Sequence, residues 1–188
     1  GTWAMSDTRI LDDMKEYGFN IFNTANNHSC DYSQSGVLAT IKHLKERDMI
    51  FAGTGKNLGD ASRPCYIETK HARVAMIACN SSNNDSARAG AQTGDLPGRP
   101  GANPMRCLKR FHVDKPHFDM VKELAEITKV NASAERSIEL GYSAPYPEGQ
   151  FPFGSSSFIL DDHCFVESVP HARDMQRMID QIKKKKKQ

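Results

Sequence analysis

The run NTANNHSCDY, residues 23 to 32, puts two adjacent amides, an imidazole and a carboxylate within six positions, at Asn26, Asn27, His28 and Asp31. The stretch leading into it, Phe19 to Ala25, reads as a short buried strand. The stretch behind it, Ser33 to Arg47, has helical spacing, with Val37, Leu38, Ile41 and Leu44 facing inward. A strand that hands such a cluster to a helix holds it at the carboxyl edge of a sheet, where α/β proteins keep their chemistry. Asn, His and Asp bind metals through oxygen or nitrogen, and His exchanges protons near neutral pH. The same residues also suit plain turn chemistry, since Asn and Asp favour tight turns. Asp31 would equally serve as a cap for the helix that follows.

Working outward, Ile10, Leu11, Met14 and Tyr17 share one face of a helix over residues 7 to 17, capped by Ser6 or Asp7 and closed by Gly18. Met49 to Ala52 is a brief strand that enters the turn GTGKN, residues 53 to 57. A P-loop would need a further glycine at position 50 and a hydroxyl after Lys56, so a βα turn is the better reading than a nucleotide cradle. Pro64 to Thr69 and Arg73 to Cys79 form a hairpin. Residues from 80 to about 110 are rich in Asn, Ser, Gly and Pro and end in GRPGANPMR, a long loop. Helical spacing returns from Lys115 to Val130 through Phe118, Val121, Leu124 and Ala125.

Residues 141 to 154 make a second long loop, in which Tyr142, Tyr146, Phe151 and Phe153 either edge a lid or pack the loop on itself. Ser156 to Ile159 pairs with Cys164 to Val166, and Pro170 opens a last helix with Met175, Met178, Ile179 and Ile182 on one face. The pattern is α/β with mixed strand directions. It reads as one partial domain over residues 1 to 188, cut close to its first helix and again at KKKKKQ. Those terminal lysines read as a solvated, fraying helix end.

The bulk properties narrow the classes. The chain of 188 residues is long enough for a real core, and 26% charged residues is typical of a soluble protein. A formal net charge of +2 gives no field that argues for nucleic acid, and no such partner is expected. No apolar run approaches the length needed to cross a bilayer. The five cysteines are scattered without a CxxC pair, which excludes a zinc ribbon or a disulfide framework and leaves them as mostly buried thiols. Among the remaining histidines, His112 and His117 are spaced so that they could flank a metal, though such pairs are usually surface residues.

The ordered combination of ANNHSCDY, a helix, then FAGTGKNLGDASRP and a hairpin resembles the CapA, or poly-gamma-glutamate capsule synthesis, family, and GRPGANPMR resembles a segment of one of its branches. That family belongs to the calcineurin-like metallophosphoesterase superfamily. The resemblance implies part of the superfamily's sandwich, a mixed β-sheet flanked by helices. It also implies a two-metal centre in the whole protein, with manganese, iron, zinc or magnesium as candidate ions. Asn27 would be a metal ligand, His28 the catalytic proton donor and Asp31 the carboxylate that orients it. Asn26, Arg99 and Arg106 would bind an anionic polymer or a phosphorylated substrate, the arginines because their forks match carboxylate and phosphate oxygens. Those same arginines could simply staple their loop.

The superfamily's early aspartate and its late histidine element have no counterpart here, so this chain by itself is expected to be inactive. The implied activity is metal-dependent hydrolysis of a phosphoester or related bond in capsule biosynthesis, alongside other capsule-synthesis components. The alternative is a non-catalytic envelope scaffold or polyanion-binding subunit, with a small nucleotide-binding module as a weaker third reading. An envelope association of the whole protein would rest on sequence outside these residues.

Overall fold

A computed structural model describes residues 3–82 and 85–185. The chain divides into two compact units, Gly1–Arg106 with Ala172–Gln188, and Cys107–His171. The expected α/β class holds: strands of mixed direction flanked by helices.

The first unit opens with α1 (Ile10–Glu16), followed by Gly18 at φ 86°, the left-handed residue that ends the helix as its sequence position predicts. β1 (Ile21–Asn23) then pairs in parallel with β2 (Ile50–Ala52), Ile21 opposite Ile50 and Asn23 opposite Ala52. A parallel pair needs a crossover, and α2 (Ser33–Glu46) supplies it. Val37 and Leu44 are buried on α2, whereas Leu38, expected inward, is exposed. Asp31 does not cap this helix; the N-cap is Tyr32, without a side-chain hydrogen bond. Nor does Ser6 or Asp7 occupy the cap of α1, which falls at Arg9.

β3 (Thr54–Gly55) and α3 (Leu58–Ala61) make the expected βα turn, capped by Asn57, whose side chain accepts from the Asp60 N–H. β4 (Cys65–Glu68) and β5 (Arg73–Met76) are the predicted hairpin. The long loop that follows is less free than its composition suggests. It contains β6 (Gly101–Ala102), antiparallel to β3, and single bridges at Asn80, Arg88 and Gly90.

Around the strand crossing, the core of this unit is built from small side chains: Ala25, Ala52, Ala78 and Ala102, with Cys65 and Met76 against them. Gly53 explains why they are small. Its φ is 108°, and a Cβ there would sit 2.7 Å from the Ala25 Cβ and 2.9 Å from that of Ala78. Only glycine fits at this crossing of backbones.

The second unit is a four-stranded sheet in the order β10-β7-β9-β8. β7 (Cys107–Val113) leads into α4 (Lys115–Thr128), capped by Asp114. After α5 (Ala132–Glu139) come β8 (Gln150–Phe153), β9 (Ser156–Leu160) and β10 (Phe165–Pro170). Here the structure departs from the sequence expectation in several places, beginning with β7, which starts at Cys107 inside the loop expected to run to about residue 110. β9 and β10 do not pair with each other: β7 lies between them, parallel to β9 and antiparallel to β10. The supposed loop at 141 to 154 contains β8. And Pro170 ends β10, the last helix, α6 (Ala172–Lys185), beginning after it.

β8 carries Pro152, and a proline that cannot donate to the ladder is tolerated because β8 is the edge strand. Phe151 and Phe153 pack against Phe118 and Phe158, which accounts for them as core, while Tyr142 stays exposed. His112, on β7, is held between Asp161 (2.9 Å) and Glu167 (3.2 Å) and stacks on Phe165. Burial alone would lower its pKa, but the two carboxylates outweigh it and raise it.

Helix α6 belongs to the first unit, with Met178 and Asp174 buried. Of the lysine run read from the sequence, Lys186 and Lys187 lie outside the described residues, as do the side chains of Lys184 and Lys185. No helix of the described residues is long and apolar enough to cross a membrane.

Candidate functional site

Each polar residue of the cluster after β1 has a local reason for its place. The Asn23 side chain accepts from the Ala25 N–H (2.8 Å), which turns the chain as the strand ends. The Asn26 Oδ1 accepts from the His28 N–H (2.8 Å), a side-chain-closed turn of the kind asparagine favours. The Ser29 hydroxyl donates back to the Thr24 carbonyl (2.6 Å) and accepts from the Asn26 N–H. Thr24 in turn reaches Thr54 (2.8 Å) and the Ala52 carbonyl, tying the cluster to β2 and β3. These bonds fix the path of residues 23 to 29 and present His28 at the surface.

His28 and Asp31 form the centre of the site. The His28 Nδ1 lies 2.8 Å from Asp31 Oδ2, and the same oxygen accepts the Ala4 N–H at 2.8 Å. The Ala4 N–H first and His28 second hold the Asp31 carboxyl below the usual carboxylate range. Asp31 is mostly covered, with 15% of its side chain exposed, against 42% for His28. A covered, ionised carboxylate on Nδ1 favours the Nδ1–H tautomer and leaves Nε2 as the atom that can take or give a proton.

His28 lines two neighbouring cavities in this unit. One, about 390 Å³, also involves residues 4 to 8, Ile10, Leu11 and Tyr32; the other, about 290 Å³, also involves Asn23, Thr24, Asn26 and Thr54. The Asn27 side chain is exposed and lines neither cavity. Cys30, inside the cluster, is half-buried; burial pushes its thiol pKa up, which argues against a nucleophile there. Cys30, Cys65 and Cys79 are half-buried and Cys107 and Cys164 are exposed, so the expectation of mostly buried thiols is not met.

Arg99 and Arg106 come together elsewhere in the same unit, in a cavity of about 380 Å³ that Arg88, Arg177, Asp85 and Asp174 also line. Four guanidiniums against two carboxylates leave a formal excess of two positive charges (4 − 2). Both arginines also staple. Arg99 donates to the carbonyls of Arg88 (3.0 Å) and Asp85 (2.6 Å). Arg106 makes a fork on Asp174, at 2.7 and 3.1 Å, and adds its own backbone N–H at 3.0 Å.

Asp174 has 1% of its side chain exposed and also accepts from Arg177 at 2.7 Å. Burial would raise its carboxyl pKa; the Arg106 and Arg177 hydrogen bonds overcome that and hold it far below the usual range. The Arg177 Nε is buried without a partner among the described residues.

Two residues of this region escaped the sequence reading. Asp174 is one. The other is Asn103, fully buried, which donates to the Ala78 carbonyl (2.8 Å) and accepts from Ser62 and Arg177 (3.2 Å each). Its backbone adds bonds to Gly53 and Asn80. A buried amide with every group satisfied is a lock on the loop. The only sequence signal was an asparagine before a proline, which reads as turn.

Comparison with known proteins gives a consistent answer. Residues 2–186 match the family described as bacterial capsule synthesis protein PGA_cap. An uncharacterized protein y4sH of Sinorhizobium fredii (strain NBRC 101917 / NGR234) is 39% identical over 127 residues, 68% of this chain and 27% of the relative. The capsule biosynthesis protein CapA of Bacillus anthracis is 36% identical over 119 residues, 63% of this chain and 27% of that protein. The PGA biosynthesis protein CapA of Bacillus subtilis (strain 168) is 27% identical over 108 residues, 57% of this chain and 28% of the relative. The matched stretch thus spans little more than a quarter of these relatives. The family match covers nearly every position of the sequence, including the cluster after β1 and the arginine-bearing loop. The chain belongs to the bacterial capsule synthesis protein PGA_cap family.

Proposed function

We propose that the Asn27–His28–Asp31 segment is this chain's share of a metal-dependent hydrolytic site, acting on a phosphoester or related bond during capsule biosynthesis. The observation that carries the reading is the 2.8 Å contact between His28 Nδ1 and a covered, ionised Asp31, at the carboxyl end of a strand and beside a cavity. Asp31 orients the ring, and His28 Nε2 delivers a proton to a leaving oxygen or draws one from an attacking water.

The donor set here fits part of a two-metal centre. Asn27 offers a neutral, exposed amide oxygen, which suits hard and borderline ions. Asp31 is already committed to Ala4 and His28. One amide and one imidazole suit part of such a centre and fall short of holding two ions. Bound divalent ions would supply Lewis acidity towards the reacting oxygens. The test is metal-stimulated hydrolysis of an aryl phosphate by the whole protein, meaning this chain with whatever encoded sequence flanks it. Loss of that activity on His28→Ala supports the reading; unchanged turnover removes it.

A second reading has its own support. The cavity bearing Arg88, Arg99, Arg106 and Arg177 has the charge to receive a polyanion such as poly-gamma-glutamate. Binding there would weaken with salt, because exposed charges are screened beyond about 8 Å at physiological ionic strength. Arg99→Ala is expected to lower affinity for poly-gamma-glutamate several-fold at low salt in fluorescence anisotropy, and the difference should shrink as salt rises. Binding that ignores both salt and Arg99 would rule this reading out.

A further inference from the structure

In the second unit, the N-terminus of α4 and the turn between β9 and β10 bring a separate group of donors together. Asp114, His117 and Cys164 each place one ligand atom within 4.8 Å of the other two. Asp114 is half-buried and the other two are exposed. We infer that these three residues form a binding site for a divalent ion of borderline softness, such as zinc or cobalt.

The donor chemistry points to that class of ion. A thiolate is a poor ligand for magnesium or calcium and a good one for zinc, while imidazole and carboxylate complete a mixed set that zinc accepts. Ligand bonds of about 2.0–2.3 Å put the donors around a tetrahedral ion roughly 3.3–3.8 Å apart. The three donors lie no more than 4.8 Å apart, and the Asp114–His117 contact opens to admit the ion, so seating it asks for rotation of the exposed His117 and Cys164 side chains. Three protein ligands leave the fourth position to water.

Part of the site is already arranged. Asp114 caps α4 by accepting the His117 N–H at 3.1 Å, so its carboxylate is held by the helix start. The same oxygen contacts His117 Nδ1 at 2.5 Å, which sets the ring beside it. Cys164 reaches this point from a distant part of the sequence, so an ion here would clasp the β9–β10 turn to α4. Binding needs the thiol deprotonated, so protons are released and affinity rises with pH. None of these residues belongs to the His28 cluster, and the site stands independently of the hydrolytic reading.

Cobalt(II) titration of the reduced chain, followed by absorption, separates the two. Thiolate ligation gives a near-ultraviolet charge-transfer band that nitrogen and oxygen ligands do not. The band is expected in the parent chain, lost in Cys164→Ser and shifted to at least about tenfold higher cobalt in His117→Ala, whereas His28→Ala leaves it intact. Zinc should displace the cobalt and bleach the band. No band with all thiols reduced, or a band that survives Cys164→Ser, overturns the inference.

Discussion

Replacing His28 with alanine should lower metal-stimulated hydrolysis by the whole protein about 100- to 10,000-fold, the range that a positioned general acid or base contributes. The loss should fall on kcat, because in the proposed role the ring acts on a proton in flight and not on ground-state binding. Asp31→Asn keeps the shape and removes the charge behind Nδ1. About a 10- to 100-fold loss is expected there, as for other residues that orient a functional imidazole. Steady-state kinetics would show both losses, and turnover untouched by either substitution would contradict the assignment.

The second large effect concerns stability. Asp174→Ala removes a buried carboxylate that holds Arg106 through a fork and backbone bond, and Arg177 through another. Breaking a buried ion pair on one side costs about 3–5 kcal/mol, because the partner is left uncompensated. Here the low end, about 3 kcal/mol, is expected, since Arg106 is partly exposed and can rehydrate. Arg177 cannot do so as easily, and its Nε already lacks a partner among the described residues.

The sign of the pH dependence follows from the lowered Asp174 pKa. Its contribution is complete above the unfolded carboxyl pKa of about 3.9 and declines as pH falls below that. Chemical denaturation of the parent chain and the variant at neutral pH and again near pH 3 should show their difference shrinking in acid. A difference that grows in acid would overturn this account of the buried carboxylate.

How much of this was legible depended on what each segment had to bury. β1, the polar cluster and α2 could be read because apolar spacing changes there from strand to helix within a few residues. Composition suggested Asp31 as a helix cap and the family resemblance as a partner of His28; the structure shows the His28–Asp31 contact and leaves the α2 cap without a side chain. β8 was hidden by Pro152, which marks loops by composition but is permitted on an edge strand. β7 was hidden because its residues Lys109 and Arg110 break the apolar alternation, although it lies inside the sheet.

Asn103 and Asp174 were invisible for a different reason. Their partners, Ala78, Ser62, Arg106 and Arg177, are brought to them only by the tertiary fold, and no local pattern announces a buried polar lock. Arg99 and Arg106 were found by motif, yet their stapling bonds to Asp85, Arg88 and Asp174 could not be.

The most direct test is to count divalent ions bound per chain in the whole protein, by calorimetry with manganese, before and after Asn27→Ala. The site around His28 predicts two ions, with affinity for at least one of them weakened about 10-fold or more by the substitution. Failure to bind any ion, or identical stoichiometry and affinity without the Asn27 amide, would contradict it.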